Sequence, residues 1–94
     1  MHVLIQDNPA QRRFEALVDG RVGGFAAYDV HDGVVVVTHT EVDPVHRGQG
    51  VGQQLARGTL DQLRERGDRV VPRCGFFASY VAEHPEYTDL VATG

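Results

Sequence analysis

No lysine occurs anywhere in the 94 residues; all nine basic side chains are arginine. A Walker-type phosphate loop ends on Gly-Lys-Ser/Thr, and Schiff-base chemistry starts from a lysine amine, so both are excluded. A single cysteine, Cys74, rules out an intrachain disulfide framework and fits a reducing compartment. No apolar run approaches the roughly 20 residues that span a bilayer, and Met1-His2 opens no signal peptide. Positive charge is scarce as well: a net charge of −4 denies nucleic acid the basic footprint it needs. Together these absences predict a cytoplasmic protein with neither a membrane nor a nucleic-acid partner.

What remains is ordinary for a soluble globular chain, with 41% hydrophobic and 23% charged residues. The length makes a single domain over residues 1–94, able to bury only about 60–65% of its unfolded surface. A core that small leaves room for a homodimer interface to add stability.

The first half reads as strands. "HVLIQ" is a short apolar run stopped at Asn8-Pro9, and "RRFEALVDG" alternates Phe14, Ala16 and Val18 before turning at Asp19-Gly20. "RVGGFAAYDV" follows at hairpin distance, "HDG" turns the chain again, and "VVVVTHTEV" is rich in β-branched residues. Strand-length runs between successive turns predict an antiparallel meander.

After Pro44 the period changes. A helix entering near Gly48 would carry Val51, Leu55, Thr59, Leu60 and Leu63 as its apolar stripe, with Gln53, Arg57, Asp61 and Arg64 toward water. Gly67 fits its C-terminal cap. "DRVVPRC" is a short strand in which Pro72 marks an edge or a break, and "FFASYVAEH" is a second helix ended by Pro85. The predicted order is β-β-β-β-α-β-α, an α/β (α+β) fold with a mostly antiparallel sheet.

Three glycines, 48, 50 and 52, crowd the entry to the first helix in "RGQGVG". A dinucleotide fingerprint fits poorly, because Gln53 fills its last glycine slot and a proline-containing loop separates strand from helix. A merely flexible loop leaves unexplained a glycine inside the helix, which costs about 1 kcal/mol relative to alanine. The first N–H groups of a helix lack internal partners and carry partial positive charge, so bare backbone there can seat an anion. Arg47 stands beside it to neutralise a phosphate. Three charge-assisted hydrogen bonds, at roughly 1.5–3 kcal/mol each, are enough to hold a diphosphate. An anion unrelated to any nucleotide would satisfy the same pattern.

On these residues the chain resembles a known family. "VDPVHRGQGVGQQL" is similar to the acyl-coenzyme A binding motif of the GNAT superfamily of N-acetyltransferases, Arg/Gln-x-x-Gly-x-Gly/Ala between a strand and a long helix. Arg47, Gly50 and Gly52 take its three fixed places. With "THTEV" before it and "VVPRCGFFASYVAEHPEY" after it, the chain resembles a compact single-domain subfamily with a Pro-x-Cys...Tyr...His-Pro-Glu-Tyr tail, over residues 12 to 91. The resemblance implies acetyl-coenzyme A as co-substrate, no metal, and an amine acceptor, either a small molecule or a peptide. It implies that the fourth strand splays from the fifth and that the backbone of Thr40, Glu41 and Val42 lies along the pantetheine arm. The N–H groups of Gly48, Gln49, Gly50, Val51, Gly52 and Gln53 would then hold the pyrophosphate. The chain lacks the flanking segments that wall the acceptor in longer members, so a coenzyme A binding module without turnover is the alternative function.

Acetylating an amine requires its neutral form. At pH 7 an amine of pKa about 10.4 is neutral about once in 2,500 molecules, a deficit of about 4.6 kcal/mol. Glu41 and His39, two apart on one strand, share a face and form the candidate base; strict alternation would put Val35 and Val37 on that face too. Their bland reading is a polar strand end. The resemblance makes Tyr80, on the second helix, the candidate acid for the departing thiolate; otherwise it is a core aromatic. Cys74 is a candidate nucleophile for a covalent route, with Arg73 adjacent, or else a small buried residue near the cofactor sulfur. In "HPEY", Tyr87 would staple the tail to the sheet, while His84 either packs or reaches the site.

Overall fold

Two Asp-Gly pairs organise the first half of the chain in the computed structural model, which describes residues 1–92. Asp19 and Gly20 have φ of 49° and 86°, and Asp32 and Gly33 have 52° and 77°. Positive φ at both central residues makes a type I′ turn, whose twist matches that of antiparallel strands. Each pair therefore closes a tight hairpin, β2 (Arg13–Val18) onto β3 (Arg21–His31) and β3 onto β4 (Val34–Val42). β1 (Val3–Asn8) pairs antiparallel with β2.

After helix α1 (Val51–Arg66), β5 (Arg69–Pro72) joins the far edge parallel to β4, so the sheet runs β1-β2-β3-β4-β5. Helix α2 (Gly75–Glu83) follows. The expected element order and the mostly antiparallel α/β architecture hold. Pro72 closes an edge strand, where its missing N–H deprives no ladder. Short 3-10 turns at Pro44–His46 and Pro85–Leu90 complete the chain. No helix among the described residues is long and apolar enough to cross a membrane.

Both helices bury their apolar stripes on one face of the sheet. Leu55, Leu60 and Leu63 of α1 and Phe77 of α2 are fully buried with Phe14, Ala16, Ala26, Val37 and Val70. The opposite face is left to solvent along Leu4, His39 and Glu41. Tyr87 staples the tail, but to α1 rather than to the sheet: its hydroxyl donates to Asp61 at 2.6 Å, and Arg64 pairs with Asp89 at 2.9 Å.

Gly58, in the middle of α1, sets how closely that helix approaches β1. A Cβ there would stand 2.5 Å from Ile5 Cγ1 and 2.7 Å from Ile5 Cβ. Ile5 Cβ is fixed to the strand backbone, so the helix itself must move to relieve the clash. Gly58→Ala is therefore expected to lower stability by about 1–3 kcal/mol, despite alanine's better helix propensity. Thermal unfolding that rises or stays level would show that the helix rides freely on β1.

Candidate functional site

Thr38 is where β4 changes face. Val37 pairs with Tyr28 and His39 with Ala27, leaving Thr38 as an extra residue against β3. One inserted residue reverses the alternation beyond it. Val35 and Val37 point into the core, Thr40 and Val42 resume that side, and His39 and Glu41 emerge on the open face. His39 and Glu41 do share a face, as expected from their spacing, but it is the opposite one from Val35 and Val37. The bulge is what frees this pair from the core.

β5 ends at Pro72, opposite Val37. There the chain turns away, and the Cys74 N–H donates to the Val37 carbonyl at 2.9 Å. From Thr38 to Val42, β4 has no strand beside it on that edge, so a cleft opens between β4 and the start of α2. Cys74 sits at its apex, partly buried, with Sγ 3.1 Å from Thr40 Oγ1.

The chain leaves β4 through Asp43, whose carboxylate accepts from the Val45 N–H at 3.1 Å and starts the 3-10 turn. Gly48 and Gly50 have φ of 77° and 79°. Helix α1 begins at Val51, three residues beyond the expected entry, because two left-handed residues intervene. Gly50 occupies the N-cap position with no side-chain cap, and no acidic residue lies in the first turn. The N–H groups of Val51, Gly52 and Gln53 therefore have no intrahelical acceptor, and none is bonded elsewhere among the described residues. A Cβ at Gly48 or Gly50 would meet nothing within 4 Å. Packing does not require glycine at these two positions; the backbone conformation and the clear approach do. Gly52 differs, since a Cβ there would lie 3.0 Å from Phe76 Cζ.

Around this turn lies a hollow of about 210 Å³, lined by Val42, His46, Arg47, Gly48, Gly50, Val51, Gly52, Gln53 and Phe76. Arg47 is exposed and has no acidic partner among the described residues. Gln49 points elsewhere, bridging to His46 Nδ1 at 3.1 Å and so bracing the loop. Phe76 has no counterpart in the sequence-based expectations. The doubled phenylalanine was the available signal: Phe77 is buried, and a partner one residue away on a helix must face elsewhere.

A second hollow, of about 760 Å³, lies on the open sheet face and includes Arg13, Phe25, His39, Thr40, Glu41, Asp43 and Arg47. His39 Nε2 is 3.3 Å from Glu41 Oε1, and both side chains are more than half exposed, at 58% and 61%. An imidazole and a carboxylate held together in reach of water can pass a proton between a bound group and solvent. The two hollows meet at Val42 and Arg47.

Tyr80 lines neither. Its ring stacks on His84 at 3.9 Å and lies 6.1 Å from Tyr87, and burial raises its phenol pKa above 10. His84 donates its Nδ1–H to the Tyr80 carbonyl, 2.8 Å away, and so belongs to the same packed tail. Among the described residues no three His, Cys, Asp or Glu side chains converge as a metal site.

Comparison with known proteins gives consistent results. The profile of the GCN5-related N-acetyl-transferase family matches residues 13–90. Streptothricin acetyltransferase of Streptomyces lavendulae is 42% identical over 59 residues, 60% of this chain and 31% of that protein. Protein NATD1 of Homo sapiens is 35% identical over 52 residues, 55% of this chain and 46% of that protein. The chain thus spans about a third to a half of the length of these relatives. A GCN5-like protein from Staphylococcus aureus, solved by NMR, superposes with a TM-score of 0.71 over 97% of this chain and 89% of its own, at 20% identity, a likeness of fold. The ribosomal-protein-S18-alanine N-acetyltransferase of Escherichia coli follows with a TM-score of 0.60 and 25% identity, over 80% of this chain and 52% of its own.

Proposed function

This chain belongs to the GCN5-related N-acetyl-transferase family, and on that premise we propose that it transfers an acetyl group from acetyl-coenzyme A to an amine. One observation carries the reading: a bare, glycine-lined helix start and an open carboxylate–imidazole pair meet at the unpaired end of β4. The first suits a diphosphate, the second suits an amine that must lose a proton.

The residues present fit the co-substrate. Free N–H groups at Val51, Gly52 and Gln53, with Arg47 beside them, would hold the pyrophosphate. The unpaired edge of β4 through Thr40, Glu41 and Val42 would hydrogen-bond the pantetheine arm as a neighbouring strand does. Phe76 would cover it from the α2 side. When bound, acetyl-coenzyme A supplies an activated acyl carbon. Glu41 takes the proton of the incoming amine through a water, with His39 holding the carboxylate in place. Attack is direct, in a ternary complex. Tyr80 is the residue carried over as proton donor to the thiolate; burial raises its pKa and so makes the phenol a weaker acid, and nothing in its packing favours that role. One relative is named for streptothricin and one structural neighbour for an alanine of ribosomal protein S18, which supports an amine acceptor borne by a small molecule or a peptide.

The test is thiol release from acetyl-coenzyme A over a panel of amines and peptides, alongside calorimetry with coenzyme A. Release that depends on the amine is expected. Binding without release from any acceptor would establish a binding module instead, consistent with the open sheet face. Cys74→Ala is expected to retain most turnover, within about threefold, because Cys74 contacts Thr40 at the cleft apex and direct attack forms no acyl-thiol on the protein. Abolished turnover, with a radiolabelled acetyl group trapped on the parent protein, would replace direct attack by the covalent route.

A further inference from the structure

The open sheet face holds an arginine in an unusual setting. Register aligns Glu15, Phe25 and Glu41 in one row across β2, β3 and β4, while Arg13, Ala27 and His39 form the next. The Arg13 guanidinium leans across to lie 4.7 Å above the centre of the Phe25 ring. Its Nε donates to Glu15 Oε2 at 2.9 Å, and Asn8 Nδ2 donates to the same oxygen at 3.2 Å. The Glu15 side chain is only 7% exposed, yet that of Arg13 keeps 25% and lines the larger hollow. Nη1 and Nη2 have no acceptor among the described residues.

Surface arginines normally lose entropy on binding an anion, because their long side chains must be ordered first. Here stacking and the Nε bond already hold the plane, and the free end is a fork of N–H donors matched to a carboxylate. Bonding Glu15 uses Nε alone and leaves Nη1 and Nη2 available to a ligand in the hollow that Arg13 lines.

Resting on the acetyl-transfer reading, the geometry points to Arg13 as a carboxylate-binding subsite for the acceptor, which is then a zwitterion: an amine that also carries a carboxylate. Charge supports that class over a phosphate. Arg13 is already neutralised by Glu15, and Arg47, the other cation of this hollow, is outnumbered by Glu41 and Asp43, so a dianion would meet one carboxylate more than the arginines balance. A carboxylate accompanied by an ammonium meets Arg13 at one end and Glu41 at the other. Phe25, under the guanidinium, is one strand from Glu41, about 4.8 Å. The guanidinium and the carboxylate thus stand over adjacent strands of one face, an arrangement that an amine and a carboxylate separated by a few carbons can bridge.

The experiment compares α-, β- and γ-amino acids with the corresponding carboxamides as acceptors, at matched concentrations of neutral amine. The parent protein is expected to show kcat/KM at least about tenfold higher for the acid than for the amide in at least one pair, mainly through KM. Arg13→Lys, which keeps the charge but loses the fork, and Arg13→Gln should each shrink that ratio toward one. Equal use of acid and amide by the parent, or a ratio that survives both substitutions, overturns the subsite while leaving acetyl transfer standing. If no amine is turned over, acetyl transfer fails, and the subsite is judged by the Arg13 Nε–H resonance with coenzyme A bound. A shift on adding the amino acids but not their amides upholds it, and no shift in either overturns it.

Discussion

Gly50→Asn lowers affinity for coenzyme A by at least about tenfold while leaving the protein folded; this is the first of the two largest effects expected. The position is left-handed, with φ of 79°, and nothing lies within 4 Å of where a Cβ would be. Asparagine enters that backbone region at little cost, whereas alanine is strained there by about 1–2 kcal/mol. The asparagine side chain nevertheless stands in front of the first-turn N–H groups and blocks the phosphates. Each charge-assisted bond lost is worth roughly 1.5–3 kcal/mol, about tenfold or more in affinity. Comparing Asn with Ala separates the two causes, since Ala adds strain with less obstruction. Calorimetry beside thermal unfolding reads both. Unchanged affinity in the folded Asn variant would remove the diphosphate from this turn, and the proposed activity with it.

The second effect is on turnover. Glu41→Gln should reduce kcat by about 10²–10⁴ at neutral pH, the usual contribution of a positioned general base. Its side chain is 61% exposed, so the fold has little reason to respond, and the backbone proposed to meet pantetheine is unaltered. The pH dependence is the sharper readout. Without a base the variant can use only amine that is already neutral, so its rate climbs about tenfold per pH unit below the amine pKa. The gap between the two proteins therefore narrows as pH rises toward that value. A loss below about threefold, with parallel pH profiles, would reduce the His39–Glu41 pair to a solvated strand end.

Much of the fold was legible because the governing rules are local. Asp19-Gly20 and Asp32-Gly33 are hairpin signals wherever they fall between alternating runs, and the Val51-to-Leu63 stripe has the helical period. The glycine turn was legible for the same reason: unfilled space at a helix start is a property of a few consecutive residues. The location of Glu41 and His39 was only half legible. Their common face follows from spacing, but which side of the sheet they occupy depends on Thr38, and nothing in "VVVVTHTEV" marks the residue that β3 leaves unmatched.

Other features had no signal within reach of any window. Gly58 matters because Ile5, more than fifty residues earlier, crosses directly beneath it. Arg13 looks like any charged strand residue until β3 brings Phe25 under its guanidinium. Tyr80 holds the place that the resemblance gives to a proton donor, yet it stacks on His84 and lies against Tyr87, which reaches it because the tail is pinned to α1 at Asp61. Turns, periods and the bare helix start are set by neighbours along the chain, where sterics and unpaired N–H groups act over a few residues. The side of the sheet that bears the acid–imidazole pair and the poised arginine were settled by strand register, and the seat of Gly58 over Ile5 by helix docking. Those contacts join residues far apart in the chain, and their energy exists only once the core has closed.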